Sequence, residues 1–294
     1  MMKKTIAIML SVLLLVTFSS CSSEENAREY REHQELSSSQ VVFDSDNMLR
    51  VSIPEVGLEN IFVRETSDVE LIDKDVYGQV YLLADDRYGE NRGLSTHYLV
   101  IVCDDKLFVE DLSKWEDQCS YSGSIELCDV NGDGDKEILL HECTGMTGGA
   151  GQYLSRVFDF VDNKIVEMFS SGNGSDNFDT GYSITILKDN QFRISNKYTG
   201  YSEVFSLKDR TDEYYKNYWY DENGKPIEQE ILVDSFYEFY PVDTDEDGIY
   251  EIFCRQYVSL IGHSDGIGCA ETVLKYNSTT SSFDIISTEF SLDF

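Results

Sequence analysis

Basic side chains, histidine, proline and tryptophan are all scarce in this chain. Lys and Arg number 23 against 55 Asp and Glu, a formal net charge of −32 over 294 residues. A field of that sign repels phosphate backbones and anionic head groups, which argues against nucleic acid as a partner. The same field attracts divalent cations. Only four histidines occur, they are scattered, and there is no C-x-x-C. Zinc and thioredoxin-type chemistry are therefore disfavoured. No G-x-S-x-G, no H-E-x-x-H and no Ser-His-Asp set at telling spacing is present, so no catalytic motif is found and the chain reads as a non-enzyme. Proline occurs three times, at Pro54, Pro226 and Pro241, which leaves strands free to run.

The first residues carry a different signal. Lys3 and Lys4 precede an uncharged, mostly apolar run from Thr5 to Phe18, followed by Ser19, Ser20 and Cys21. This has the form of a secretory signal peptide and is too short for a comfortable membrane span. The small residues before Cys21 resemble the bacterial lipoprotein lipobox, although Phe18 stands where leucine is usual. The resemblance implies that Cys21 is lipidated and becomes the mature N-terminus, on the outer face of the bacterial membrane. Residues 22–40 are polar and charged, unable to bury enough apolar surface to order themselves. The expected organisation is a signal peptide over 1–20, Cys21 and a flexible tether over 21–40, and one folded domain over 41–294.

From Val41 onward, short runs rich in Val, Ile, Tyr and Phe alternate with Asp, Asn, Gly and Ser. Roughly 14 to 16 such runs are countable, the pattern of an all-β sandwich, barrel or propeller. Asn223-Gly224 is a hairpin turn signal. Six cysteines besides Cys21 (Cys103, Cys119, Cys128, Cys143, Cys254, Cys269) form an even set in an exported chain, where disulfides are permitted. Their pairing is open, with Cys254–Cys269, on or beside consecutive strands, the first expectation.

Two segments repeat one pattern, D-x-[DN]-x-D-G-x-x-E-I. The first holds Asp129, Asn131, Asp133, Asp135 and Glu137, and the second Asp243, Asp245, Asp247, Ile249 and Glu251. Acidic side chains at alternate positions of a tight loop can converge on calcium, which takes six to eight oxygens. Glycine at the sixth position, Gly134 or Gly248, allows the sharp turn. The seventh residue, Asp135 or Ile249, would offer its backbone carbonyl, and the ninth a carboxylate. An EF-hand needs a glutamate at position twelve, where Leu140 and Cys254 stand instead. The flanks read as strands, so the loop belongs to a β-hairpin.

The loops resemble the FG-GAP or VCBS-type repeats of integrin and bacterial surface β-propellers, with Glu246 replacing a glycine in the second copy. The resemblance covers about a fifth of the chain. It implies two calcium sites in hairpins and a small β-propeller or propeller-like repeat domain of roughly four or five four-stranded blades. Each loop is followed by a strand and a glycine-rich stretch, 144–151 and 262–268, read as wide connections between strands.

Exposed aromatics anchor sugars or protein partners, and the run Tyr214 to Tyr220, with Tyr218 and Trp219, is a candidate for either a ligand surface or core packing. His97 and His141 read as structural, and His263, in the second glycine stretch, is a candidate ligand-surface residue. The resulting expectation is a lipid-anchored, calcium-binding β-repeat protein, a non-catalytic module for an unknown glycan or protein partner. The alternatives are a polysaccharide-active lyase or hydrolase on a propeller, and an accessory or chaperone-like lipoprotein.

Overall fold

In the computed structural model the described residues are 41–43, 49–54, 57–85, 97–104, 106–112, 122–144, 153–172, 178–206, 219–227, 232–260, 262 and 265–292. They are all-β, as the alternation predicts. A seven-stranded antiparallel sheet comes first, formed by β1 (Val41–Phe43), β2 (Leu49–Ile53), β3 (Leu58–Thr66), β4 (Glu70–Asp73), β5 (Val76–Ala84), β6 (His97–Cys103) and β7 (Lys106–Asp111). A four-stranded meander follows: β8 (Ser122–Cys128), β9 (Glu137–Cys143), β10 (Tyr153–Val161) and β11 (Lys164–Ser170). Next is a three-stranded sheet of β12 (Tyr182–Ile186), β13 (Gln191–Asn196) and β14 (Ser202–Ser206). A second four-stranded meander ends the chain: β15 (Leu232–Val242), β16 (Glu251–Ser259), β17 (Gly266–Asn277) and β18 (Ser282–Ser291).

The period-two pattern explains how these sheets stack. In β5 and β6 both faces are apolar. One face, with Val80, Leu82, Leu99 and Ile101, packs on Ile138, Leu140, Phe158 and Phe160 of the first meander. Among the described residues, the other face, with Val51, Ile53, Ile61, Tyr81, Leu83, Val100 and Val102, forms a cluster with residues of its own sheet. The sheet curls into a half-barrel, which brings this apolar face onto itself. Register shifts at Val51/Ile53 and Val63/Glu65 supply the bend.

The first meander is covered on both sides. Its opposite face, Leu139, Val157 and Phe169, meets Phe236, Phe239, Ile252, Cys254 and Leu274 of the second meander. At its far end the second meander's inner face continues as Val258 and Ala270, packed on Phe192 and Ile194 of the three-stranded sheet. Each buried Ile, Leu or Phe contributes about 1.5–3 kcal/mol, so these three interfaces dominate stability. The layers run half-barrel, first meander, second meander, three-stranded sheet.

The Asn223-Gly224 turn is present: Gly224 has φ +71° and its N–H donates to Asp221 O, while Tyr220 bridges to Pro226. The expected Cys254–Cys269 disulfide is not. Cys254 lies opposite Thr272 and Cys269 opposite Tyr257, three rungs apart, and no disulfide joins them; Cys269 Sγ instead accepts the Tyr237 hydroxyl. Cys103, Cys128 and Cys143 form no disulfide either, and Cys119 lies outside the described residues. Burial pushes the Cys103 thiol up to about 11 and the Cys128 thiol up to about 12, so both behave as small apolar side chains. The second glycine stretch is tighter than expected. Asp265 N–H closes a turn onto Gly262 O, and Gly266 already begins β17. A Cβ at Gly266 would lie 1.7 Å from the Tyr257 hydroxyl oxygen, which explains its glycine. The first stretch, beyond Thr144, lies outside the described residues.

Candidate metal centre

Each acidic loop joins the first two strands of a four-stranded meander: residues 129–136 between β8 and β9, and 243–250 between β15 and β16. In the first, the buried Asp129 is held from both oxygens. Its Oδ1 accepts the Gly132 N–H at 2.7 Å and its Oδ2 the Gly134 N–H at 3.0 Å. Asn131 Oδ1 accepts the Asp133 N–H, and Asp133 Oδ1 the Asp135 N–H. These Asx turns wind the loop, and Gly132 and Gly134 sit at φ +82° and +94°. Glu137 is fully buried under the loop. It accepts the Val130 N–H at 2.7 Å and the Asn131 side-chain amide at 2.7 Å. Burial pushes its carboxyl up to about 8 against the pull of the Val130 N–H, and the charges of Asp159, Asp133 and Asp129 push it the same way. Asp135 turns its side chain outward to accept the Lys74 N–H of the β4–β5 turn.

The second loop is wound the same way. Asp243 accepts the N–H groups of Asp247 and Gly248, and Asp247 accepts that of Ile249. The fourth position is left-handed in both loops, glycine at 132 and glutamate at 246, where φ is +62°. Glu246 therefore bears a left-handed backbone that costs about 1–2 kcal/mol for an ordinary residue. Carboxylate oxygens of Asp243, Asp245 and Asp247 lie within 4.8 Å of one another. Glu251 is buried beneath them and accepts the Thr244 N–H, the Thr244 hydroxyl and the Lys275 ammonium, the last at 2.5 Å. Burial raises its carboxyl, but Lys275 and Thr244 outweigh burial and hold it below the ordinary range.

The two loops touch. The Tyr250 N–H donates to Asp129 O at 2.7 Å, and a Cβ at Gly132 would lie 2.9 Å from Ile249 Cδ1. Glycine at 132 is thus required by a positive φ and by the other loop at once.

The ladders also define which residues correspond. Ile138 faces Phe158 in the first meander, and Ile252 faces Leu274 in the second. One residue further along, Asp159 and Lys275 occupy equivalent places beside the two loops. By the same register Glu142 and Arg156 correspond to Gln256 and Thr272. Glu142 and Arg156 are buried with His97, on the face that packs against the half-barrel. Glu142 Oε1 lies 2.6 Å from His97 Nδ1, and its Oε2 accepts Arg156 Nη2 at 2.6 Å. Burial raises the Glu142 carboxyl, yet its bonds to His97 and Arg156 win and hold it low. This triad was legible in part. Ile138, Leu140 and Glu142 share one parity, which marks Glu142 as an inward charge needing a partner, although nothing local names His97 or Arg156.

The remaining sequence candidates fall elsewhere. Trp219 is 1% exposed in the core between the second meander and the three-stranded sheet, so it is packing and not a ligand surface. Tyr218, His263 and Cys21 lie outside the described residues. His141 Nε2–H donates to Tyr237 O, its Nδ1 bonds Ser155 Oγ, and the ring stacks on Tyr153. Burial lowers its pKa, so the ring is neutral and structural.

Comparison with known proteins gives a partial match. The family described as the YybI C-terminal domain matches residues 180–291. Over 178 residues the chain is 24% identical to the uncharacterized protein YybI of Bacillus subtilis (strain 168), which covers 60% of this chain and 66% of that protein. The chain thus spans just under two thirds of that relative. The matched 180–291 segment holds β12 to β18, the two sheets that share one core. It includes the second acidic loop and leaves out the first.

Proposed function

We propose that the protein is an exported, lipid-anchored, calcium-binding β-repeat protein, acting as a non-catalytic binding or structural module for a glycan or protein partner at the cell surface. The observation that carries the reading is the recurrence of one unit. A four-stranded antiparallel meander bears the same acidic loop between its first and second strands, twice, and the two loops are packed on each other. Such a meander has the form of a propeller blade, and the finer fold we propose is a propeller-like repeat in which these two meanders are the related units.

The donor chemistry fits an oxygen-seeking divalent ion. Each loop offers only oxygens, from Asp129, Asn131, Asp133, Glu137 and the Asp135 carbonyl, or from Asp243, Asp245, Asp247, Glu251 and the Ile249 carbonyl. Anchored N–H bonds to Asp129 and Asp243 hold the first ligand of each set in place. Calcium would supply a structural charge: it would neutralise the loop carboxylates and tie the two meanders together. The polysaccharide-active alternative gains nothing from His97, Glu142 and Arg156, because all three are closed off in the core.

The test is thermal melting of the purified protein in calcium and in chelator, beside a Glu137→Ala/Glu251→Ala variant. At about 2 mM calcium and a Kd of about 0.1 mM, each site adds about 1.8 kcal/mol. That is a rise of roughly 5 °C per site for a domain of this size. An unchanged melting temperature in chelator would refute the calcium reading. Lipidation is tested separately, by labelled fatty-acid incorporation that Cys21→Ala should abolish.

A further inference from the structure

We infer that the solvent face of the second meander is a binding platform for a neutral glycan, with Tyr240, Phe253 and Arg255 at its centre. The inference rests on the binding-module reading above and not on calcium. It decides between the two partner classes left open there and names the surface.

The ladder registers lay this face out in rows. Tyr240, Phe253 and Val273 stand opposite one another on β15, β16 and β17, and Glu238, Arg255 and Glu271 form the next row. Rows on one face are two residues apart, about 7 Å. Beyond the ionic row Tyr257 stands opposite Cys269, whose Sγ accepts the Tyr237 hydroxyl at 3.1 Å. A charged row is thus set between two rows that carry aromatic rings. Tyr240 is 41% exposed, and its ring centroid lies 5.0 Å from that of Phe253, tilted by 30°. Phe253, Arg255 and Tyr257 are half-buried. Arg255 is held in place. Its Nη1 donates to Glu238 Oε1 at 3.0 Å, its Nε and Nη2 donate to Glu271 Oε1 at 3.0 and 2.7 Å, and its guanidinium lies 5.6 Å from the Phe253 ring centroid. Among the described residues these bonds engage only Oε1 of each carboxylate. Oε2 of Glu238 and of Glu271, and further guanidinium N–H groups, remain for a ligand.

The equivalent rungs of the first meander show what a packed face requires. There Leu139 and Val157 replace Phe253 and Val273, and the neutral His141 and Ser155 replace Arg255 and Glu271. That face is the one the second meander covers. A further repeat or a second copy seated on the second meander would have to strip water from three charged groups, at a cost that pairing repays poorly. A protein contact draws its strength from a dry apolar centre, and here the centre is ionic. Polyanions are repelled by the net charge of −32 and by Glu289, which stands opposite Glu271. A basic peptide meets the Arg255 guanidinium. A neutral sugar ring suits both kinds of row: its C–H faces stack on the aromatic rings, while its hydroxyls donate to the carboxylates and accept from Arg255.

The experiment is native affinity electrophoresis of the purified protein in gels containing soluble starch, galactomannan, arabinoxylan or hydroxyethyl cellulose, with alginate as the polyanionic control. Any polysaccharide that retards the protein is then titrated by calorimetry. Tyr240→Ala, Arg255→Met and Tyr198→Ala are run beside the parent, with circular dichroism as the check on folding. At least one neutral polysaccharide should retard the parent, and alginate should not. Tyr240→Ala and Arg255→Met should each weaken that binding by about tenfold or more. Tyr198→Ala, which removes a ring 53% exposed between β13 and β14, should leave it unchanged. If Arg255→Met is poorly folded, Arg255→Lys, which cannot span both glutamates, is titrated instead with the same expectation. Retardation that neither platform variant reduces overturns the inference while the binding-module reading stands. No retardation by any neutral polysaccharide also overturns it; capture of a cell-envelope protein by the parent then keeps the binding-module reading, and no capture overturns both.

Discussion

The two meanders share strand order, loop position and register, yet they solve the problem of buried charge in opposite ways. The first lies between two layers, so both faces are dry, and it keeps charged residues inside: Glu142 with His97 and Arg156, and Glu137 beneath its loop. The second has one face in solvent, where Arg255 spans Glu238 and Glu271 as a half-exposed ladder. At its inner positions it replaces the charges with neutral Gln256 and Thr272, and beneath its loop Lys275 neutralises Glu251. One backbone plan therefore tolerates either sign of solution. The layer in which a copy sits decides how costly its charges are, because burial and not pairing sets the desolvation term.

The comparison breaks most visibly at the equivalent pair Glu142 and Gln256. Removing Glu142 strands the Arg156 guanidinium and His97 in a dry interface, so Glu142→Ala should cost about 3–5 kcal/mol. That lowers the melting temperature by roughly 10 °C. Gln256→Ala removes one neutral bond to Asp234 O and should cost only about 1 kcal/mol. Denaturant midpoints of the two variants measure the contrast, and equal losses would sink it.

The glutamates under the loops should respond to pH in opposite directions. Glu137 is held up at about 8 against an ordinary 4.5. The folded state therefore binds its proton more tightly than the unfolded chain does. In chelator its contribution is most favourable below the unfolded value and is lost as pH rises toward 8, by on the order of 5 kcal/mol. Calcium should flatten that slope, and Glu137→Gln should abolish it. Glu251 is held low, so its contribution is present above the unfolded value and disappears as pH falls through the folded one. Melting curves from pH 4 to 9, in chelator, for Glu137→Gln and Glu251→Gln separate the two slopes.

A smaller contrast lies at the fourth loop position. Gly132→Ala places a Cβ at a positive φ and against Ile249 of the other loop, and should destabilise by about 1–2 kcal/mol. Glu246→Gly relaxes the same left-handed backbone in the second loop and should stabilise by about 0.5–1 kcal/mol. Opposite signs in urea titration are the expected outcome, and the same sign would mean that the loops are not equivalent there.

Much of this was legible in the chain itself. The strands Ile138 to Cys143 and Ile252 to Val258 stand where the alternation put them, and both loops are set in hairpins. The duplicated motif located the loops because its acidic positions and glycines are local. What was not legible depends on pairing across distance. Cys254 and Cys269 look like neighbours along the chain, but a three-rung offset separates them. Trp219 sits in a polar, aromatic stretch, yet the three-stranded sheet folds back to bury it. Lys275 and Asp159 gain meaning only once the third strand is laid against the second. The half-barrel was likewise hidden, since two-sided apolar strands announce burial without saying which layer covers them.

The most direct test of the central claim, that both repeated loops are calcium sites, is equilibrium dialysis of the purified protein against radioactive calcium, repeated with Asp129→Asn and Asp243→Asn variants. Two ions per chain at saturation and one in each variant are the expected result. No bound calcium in the parent protein, or binding that neither substitution reduces, would contradict it.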